Sequence, residues 1–248
     1  MAPDCAYQTK VFERLRLPRG VTAVVGGGGK TTLMERLALE LAAEGHTVLV
    51  TTTTRIFPPA AMPVLLSPTP EAVSRALRAH AGEPVCVGAP AQEGKLQACS
   101  LPIEALSRLA AYVLVEADGA KHLPLKAPAS HEPVIPETAS LVLAVAGLDG
   151  IGKPVSETAF RPERYAAVLG VEQAHVVTPQ DVAAVLVSGD GQRKDVRPGV
   201  RFSVVLNKAD DAARQALARQ VAAALPRDAV DTVLCTSLCG GNDVCLCL

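Results

Sequence analysis

A mostly parallel β-sheet flanked by helices is the fold class this sequence predicts, and three observations predict it. Apolar, β-branched runs of strand length alternate with amphipathic or alanine-rich runs of helix length. Glycine and proline clusters punctuate that alternation. The polar motifs fall just after the apolar runs, at the carboxyl ends of the expected strands, where open parallel sheets place their ligands. At 248 residues, 49% hydrophobic and 20% charged, the chain can bury a sizeable core, and one α/β domain over residues 1–248 is expected.

The first element is an apolar run at 21–25, the pattern of a strand buried on both faces. Residues 33–43 then repeat apolar side chains at helical spacing. Between them stands Gly26-Gly27-Gly28-Gly29-Lys30-Thr31-Thr32. Strand, glycine loop, Lys-Thr and helix in that order make a P-loop NTPase-like cradle. Glycines let backbone N–H groups curl around phosphate, Lys30 reaches the terminal phosphates, and the Thr31 hydroxyl can sit on Mg²⁺. The positive end of the helix faces the same anion. A full GxxxxGK[ST] pattern would have glycine at Val24, and the variant KGGxGKTT would have lysine at Val25. Val25 therefore removes the lysine that crosses a nucleotide-sandwich dimer in that second class.

Residues 47–50 form the next buried strand, ending in Thr51-Thr52-Thr53-Thr54-Arg55. Prolines at 58, 59, 63, 68 and 70 argue against regular structure until a short helix at 71–80, so a loop-rich insert is expected at about 55–70. Short strands follow at 85–87 and 96–99, a helix at 103–110, and buried strands at 112–115 and 141–146. Helices are expected at 162–169 and 180–187, a strand at 202–206, an alanine-rich helix at 211–224 and a last strand at 230–235.

The strand at 112–115 delivers Glu116 and Asp118, two residues apart and on one face if the strand continues. A carboxylate there holds Mg²⁺ directly or through water, while its neighbour orients a water or an acceptor hydroxyl. Asp118-Gly119-Ala120-Lys121 is not the DxxG of regulatory GTPases. Asn207-Lys208-Ala209-Asp210 follows another strand. An NKxD at this place reads guanine: the Asp carboxylate accepts the paired guanine N–H groups and the Asn braces the loop. GTP is thus expected, with ATP or CTP as alternatives, and a serine loop at Ser237 would back the same base. Arg55, after four hydroxyl residues at a strand end, could touch phosphate or substrate or simply snorkel from its loop. Lys121, Lys126, His131 and Glu132 lie in one polar, proline-punctuated segment whose cations could hold a second anion or simply meet solvent; Asp149 and Lys153 are candidates of the same kind. His122 and His131 lack metal-pair spacing.

A net charge of -1 and the absence of basic runs argue against nucleic acid as a partner. No apolar stretch approaches membrane-spanning length, and residues 1–20 lack a signal-peptide core, so a cytoplasmic protein without membrane partners is expected. Seven cysteines, four of them in a tail at 235–248 with no common zinc spacing, read as reduced thiols, with a soft metal or redox site as the alternative.

Taken in order, VVGGGGKTTLMERLALEL, VTTTTRIFPP, LVEADGAKHLPLKAPASHEPVIP, VAGLDGIGKPVSE, FRPE and VVLNKAD resemble the selenium-dependent hydroxylase accessory proteins of the YqeC type, over about residues 21–210. That resemblance implies a nucleotide-binding protein that helps mature molybdenum hydroxylases, with residues 26–32 on the nucleotide and Glu116 with Asp118 serving the metal. Phe160 precedes Arg161 where the related pattern has histidine, and the tail after Thr236 departs from it. Three functions remain open: a GTP-binding accessory factor, a small-molecule kinase or nucleotidyl transferase acting on the cofactor or a selenium compound, and a module that holds nucleotide without turnover.

Overall fold

The computed structural model describes residues 10–238 and the backbone of 246–247. In chain order the strands are β1 (Gly20–Gly26), β2 (Val48–Thr52), β3 (Val64–Leu66), β4 (Val85–Pro90), β5 (Leu96–Gln97), β6 (Tyr112–Glu116), β7 (Leu125–Lys126), β8 (Ala139–Gly147), β9 (Ala159–Phe160), β10 (Arg201–Asn207), β11 (Thr232–Cys235) and β12 (Leu246–Cys247). The α-helices are α1 (Val11–Arg14), α2 (Lys30–Ala43), α3 (Pro70–Ala79), α4 (Ile103–Ser107), α5 (Val155–Thr158), α6 (Pro162–Leu169), α7 (Pro179–Val187) and α8 (Ala212–Ala224).

The main sheet runs β12-β11-β10-β8-β1-β6-β2-β4-β3, parallel from β11 to β3, with β12 and β5 added antiparallel. The expected parallel α/β fold is therefore present. Its central strands are buried on both faces, and alternation along them sorts side chains between two cores. Ala23 and Val25 of β1 point to the face covered by α3, α4 and α6–α8, whereas Val24 meets Leu33 and Leu37 of α2 on the other. No strand intervenes between β1, which leads into the glycine loop, and β6, which leads into the acidic pair: Val24 is in register with Glu116.

Local chemistry explains the helix starts. Thr69 caps α3 by accepting from Ala72 N–H, Asp211 caps α8, and Thr178 with Asp181 forms a capping box on α7. Three of the shifts from the expected boundaries bear on the architecture. The stretch at 55–70 is not wholly irregular, because Val64–Leu66 lies between prolines and adds an outer parallel strand to β4. Proline is compatible with such an edge: Pro63 contributes a carbonyl, which accepts from Cys86 N–H at 2.9 Å. The strand expected at 96–99 stops at Gln97, and the helix expected at 103–110 stops at Ser107. A second, two-stranded sheet pairs β7 with β9 and places Lys126 beside Phe160. Among the described residues, no helix is long and apolar enough to cross a membrane. Of the cysteine tail at 235–248, residues 239–245 and 248 and the side chains of 246 and 247 lie outside the described residues.

Candidate functional site

The glycine loop turns over the carboxyl ends of β1, β6, β8 and β10, and the approach is too close for side chains. A β-carbon at Gly28 (φ +74°) would lie 2.2 Å from Gly147 N, and one at Gly29 (φ +119°) would lie 2.3 Å from Asn207 Nδ2. The loop amides divide into two groups. Gly26 N–H donates to Asp118 Oδ2 (3.1 Å), Gly27 N–H to Val145 O (2.9 Å) and Gly28 N–H to Leu123 O (3.0 Å). These three anchor the loop. The helical bonding of α2 starts with Leu33 N–H donating to Gly29 O (3.0 Å), so the amides of Lys30, Thr31 and Thr32 precede any intrahelical acceptor and form the end that can meet an anion.

Lys30 lies almost wholly buried at 4% exposure. Its ammonium donates to Gly26 O (2.7 Å) and faces Asp118 Oδ1 (3.2 Å) and Glu116 Oε1 (3.7 Å). Thr31 Oγ1 donates to Glu116 Oε2 (3.2 Å). Lys30, Thr31, Glu116 and Asp118 are thus one contact group, although β6 ends at Glu116 and Asp118 reaches the site from the turn beyond it, not from a continued strand. Burial raises the Glu116 carboxyl above its ordinary value, an effect Lys30 opposes and Asp118 reinforces. Asp118 Oδ1 is buried and accepts no well-aligned hydrogen bond, its neighbour being the Lys30 ammonium at 3.2 Å. A hydroxyl and two buried carboxylates make a hard oxygen set that fits Mg²⁺.

Asp118 also belongs to a buried chain of charges that sequence reasoning missed. Lys126, fully buried, reaches Asp118 Oδ2 (3.0 Å), Glu132 Oε2 (2.8 Å) and Gly119 O (2.5 Å). Arg161 then grips both oxygens of Glu132, and Lys194 donates to Glu132 O (2.7 Å). The clue available in the sequence was a lysine inside the apolar run Leu-Pro-Leu-Lys-Ala-Pro, which β7 buries. Burial pushes the Glu132 carboxyl up, but the hydrogen bonds from Arg161 and Lys126 outweigh it and hold it at about 2, against an ordinary 4.5. A folded-state value below the unfolded one contributes stability that is present above pH 4.5 and lost as pH falls toward 2. Glu132→Gln is therefore expected to melt below wild type at pH 7, with the gap narrowing between pH 4.5 and 2.5. Thermal melts across that range check it, and a gap of constant size would contradict the ion-pair account.

The NKAD segment sits on the opposite side of the loop. Asn207 Nδ2 donates to Gly28 O (2.8 Å), and its Oδ1 accepts from Leu238 N–H (3.3 Å). Asp210 is exposed, hydrogen-bonded by Ser237 Oγ and paired with Arg214 at 2.7 Å. Lys208 (φ +66°) pairs with Asp149 at 2.8 Å, so these two candidates meet each other. Lys153 and His131 are exposed and outside the cleft. Among the described residues no group of three or more histidine, cysteine or acidic side chains makes a further metal cluster.

The cleft itself measures about 620 Å³. It starts at residues 28–32 and Glu116 and continues past Arg55, Lys121 and His122 to Phe160 and Arg161. Phe57, inside VTTTTRIFPP, was given no role by the sequence, and Lys95, also lining the cleft, carried no sequence motif.

A mostly parallel sheet, with a glycine loop between its central strand and a helix, defines an α/β protein compatible with a P-loop NTPase-like fold. The model of the YqeC protein family matches residues 22–163. The uncharacterized protein YqeC of Escherichia coli (strain K12) is 36% identical over 200 residues, covering 76% of this chain and 75% of that protein. The chain belongs to the YqeC family.

Proposed function

We propose that this chain is a Mg²⁺-dependent nucleotide-binding protein that selects GTP, and that it serves, as the resemblance of its motifs implies, as an accessory factor in the maturation of selenium-dependent molybdenum hydroxylases. One observation carries the nucleotide reading. A buried lysine, a threonine hydroxyl and two carboxylates from β6 and its turn meet at the first free amides of α2. In this reading the amides of Lys30 to Thr32 take phosphate oxygens and the Lys30 ammonium leaves its carboxylates for the terminal phosphates. Thr31, Glu116 and Asp118 are the residues that would hold a Mg²⁺ ion, and the ion would supply neutralisation of phosphate charge. Gly26 to Gly29 supply the close approach.

Asn207 bracing Gly28 O, with Ser237 supporting Asp210, favours guanine over adenine or cytosine. The Asp210 carboxylate can accept two adjacent guanine N–H donors, whereas adenine offers no such pair. Asp210→Asn is accordingly expected to weaken GTP by roughly tenfold or more, the loss of a charged hydrogen bond, and to leave ATP nearly unchanged. Titration calorimetry with both nucleotides and Mg²⁺ checks it. Equal losses would remove guanine from the reading.

The kinase or nucleotidyl transferase reading is favoured by a different observation, the continuation of the cleft beyond the loop. Labelled GTP separates the two: free phosphate without any labelled small molecule supports a hydrolysing accessory factor, and a labelled acceptor supports transfer.

A further inference from the structure

The outer part of the cleft has a composition that binding a nucleotide by its phosphates does not require. Arg55 follows β2, Lys95 precedes β5, Lys121 lies between β6 and β7, and Arg161 precedes α6, so separate segments of chain bring cations to one cleft. The carboxylate among them, Glu132, is already gripped by Lys126 and Arg161. Glu93 at the rim is hydrogen-bonded by Lys95, which lowers its carboxyl, and Arg55 and Lys121 add to that attraction. Yet neither Arg55 nor Lys121 has a carboxylate at ion-pair distance among the described residues. Unpaired cations converging on a concave wall make a positive field that an anion would neutralise.

Two aromatic rings stand among these cations. Lys95 lies 5.2 Å from the centre of the Phe57 ring, which is still 55% exposed. Phe160 carries Arg161 at 4.5 Å and Lys121 at 5.6 Å. The exposed Phe57 surface beside guanidinium and ammonium groups suits a flat body that bears an anionic group: the ring offers apolar surface to stack on, the Arg161 guanidinium over Phe160 adds a second flat group, and the cations offer donors to oxygen. The backbone is also held where side chains are disfavoured, with φ of +46° at Lys121, +63° at His122 and +62° at Arg161. Such conformations persist where surrounding structure enforces them, and here they hold three of the polar side chains of one wall.

We propose that this outer compartment is a second ligand site, for a small molecule carrying a phosphate or similar oxyanion on a flat unsaturated body. Its position beside the nucleotide rests on the GTP reading above. Lys30, Thr31 and Glu116 line the same cleft while Asn207 and Asp210 do not, so the second ligand faces the terminal phosphate and not the base. Arg55 and Lys121 supply the anion contacts, Phe57 supplies the apolar face, and Arg161, fixed by Glu132 and stacked on Phe160, supplies a second flat group.

The test uses 4-methylumbelliferyl phosphate, a flat fluorescent ring with one phosphate, and its phosphate-free parent, 4-methylumbelliferone. Each is titrated by fluorescence anisotropy and calorimetry into full-length protein saturated with guanosine 5′-[β,γ-imido]triphosphate and Mg²⁺, and in parallel into nucleotide-free Lys30→Ala protein. The expected result is saturable binding of the phosphate compound to both samples with one site per chain. The parent should bind at least about tenfold more weakly, and Arg55→Ala/Lys121→Ala should lose about tenfold or more for the phosphate compound at unchanged melting temperature. Failure to bind either sample, or an affinity indifferent to the double variant, overturns the proposal. Should the GTP analogue fail to bind wild type while the phosphate compound still binds Lys30→Ala protein in an Arg55- and Lys121-dependent way, the nucleotide reading falls and the second site stands.

Discussion

Replacing Lys30 by alanine is expected to lower the affinity for GTP with Mg²⁺ by about 100-fold or more. The first contribution is the lost charge-assisted contact with phosphate, roughly 1.5–3 kcal/mol, or about tenfold to 150-fold. The second comes from what the substitution leaves behind. Lys30 is the cation that stands between the loop and both Glu116 and Asp118, at 3.7 and 3.2 Å. Without it a polyphosphate would enter a cradle whose nearest charged neighbours are carboxylates, one of them fully buried. The fold should tolerate the change better than the site does, because Asp118 keeps Lys126 at 3.0 Å and the Gly26 amide at 3.1 Å. Calorimetric titration at matched Mg²⁺, with circular dichroism to confirm folding, checks the expectation. An undiminished GTP affinity in a folded Lys30→Ala protein would remove the phosphate cradle from the account.

The largest stability effect is expected at Lys126. Its ammonium neutralises Asp118 and Glu132 from a position with no solvent exposure of the side chain. Lys126→Met preserves most of the volume but removes the charge, which leaves two buried carboxylates short of a partner. Breaking such a pair costs about 3–5 kcal/mol. For a protein of this length that corresponds to a melting temperature lower by roughly 10 °C. Adding Glu132→Gln removes one of the orphaned charges, so the double variant should recover part of the loss. A double variant whose losses merely add would show that packing, not charge, accounts for the effect. The same substitution is expected to weaken GTP binding as well, because Asp118 would turn toward Lys30, the cation to which the proposed phosphate site assigns the terminal phosphates.

The parts of the site that were legible in the sequence are those made by contiguous residues. Gly26 to Thr32 announces its own turn, because glycines must precede a lysine and a hydroxyl at a strand-to-helix junction for the loop to close. Asn207 to Asp210 announces itself in the same way, and the bond from Asn207 to Gly28 O joins two motifs separated by 179 positions. The strands were legible where both faces are covered, since a continuous apolar run has few other uses. Val64–Leu66 was obscured by its prolines, which count against a strand in general but not against an outer one. Lys126 was obscured because a lysine reads as a surface residue unless its partners are known. Those partners, Asp118 and Glu132, come from turns on either side of β7, and only the small sheet with β9 brings the group within reach of Arg161.

What the sequence determined by itself was the alternation of the principal strands and helices and the glycine-Lys-Thr turn between β1 and α2, because alternating burial, turn chemistry and a seven-residue motif are local properties of the chain. The tertiary structure alone decided which charges neutralise one another and which are left facing the cleft. Lys121 and Lys126 are five residues apart in one segment, yet one is exposed beside the Phe160 ring and the other is sealed between two carboxylates. The physical reason is that the energy of a charge depends on the dielectric and the partners around it, and both are supplied by elements distant in sequence.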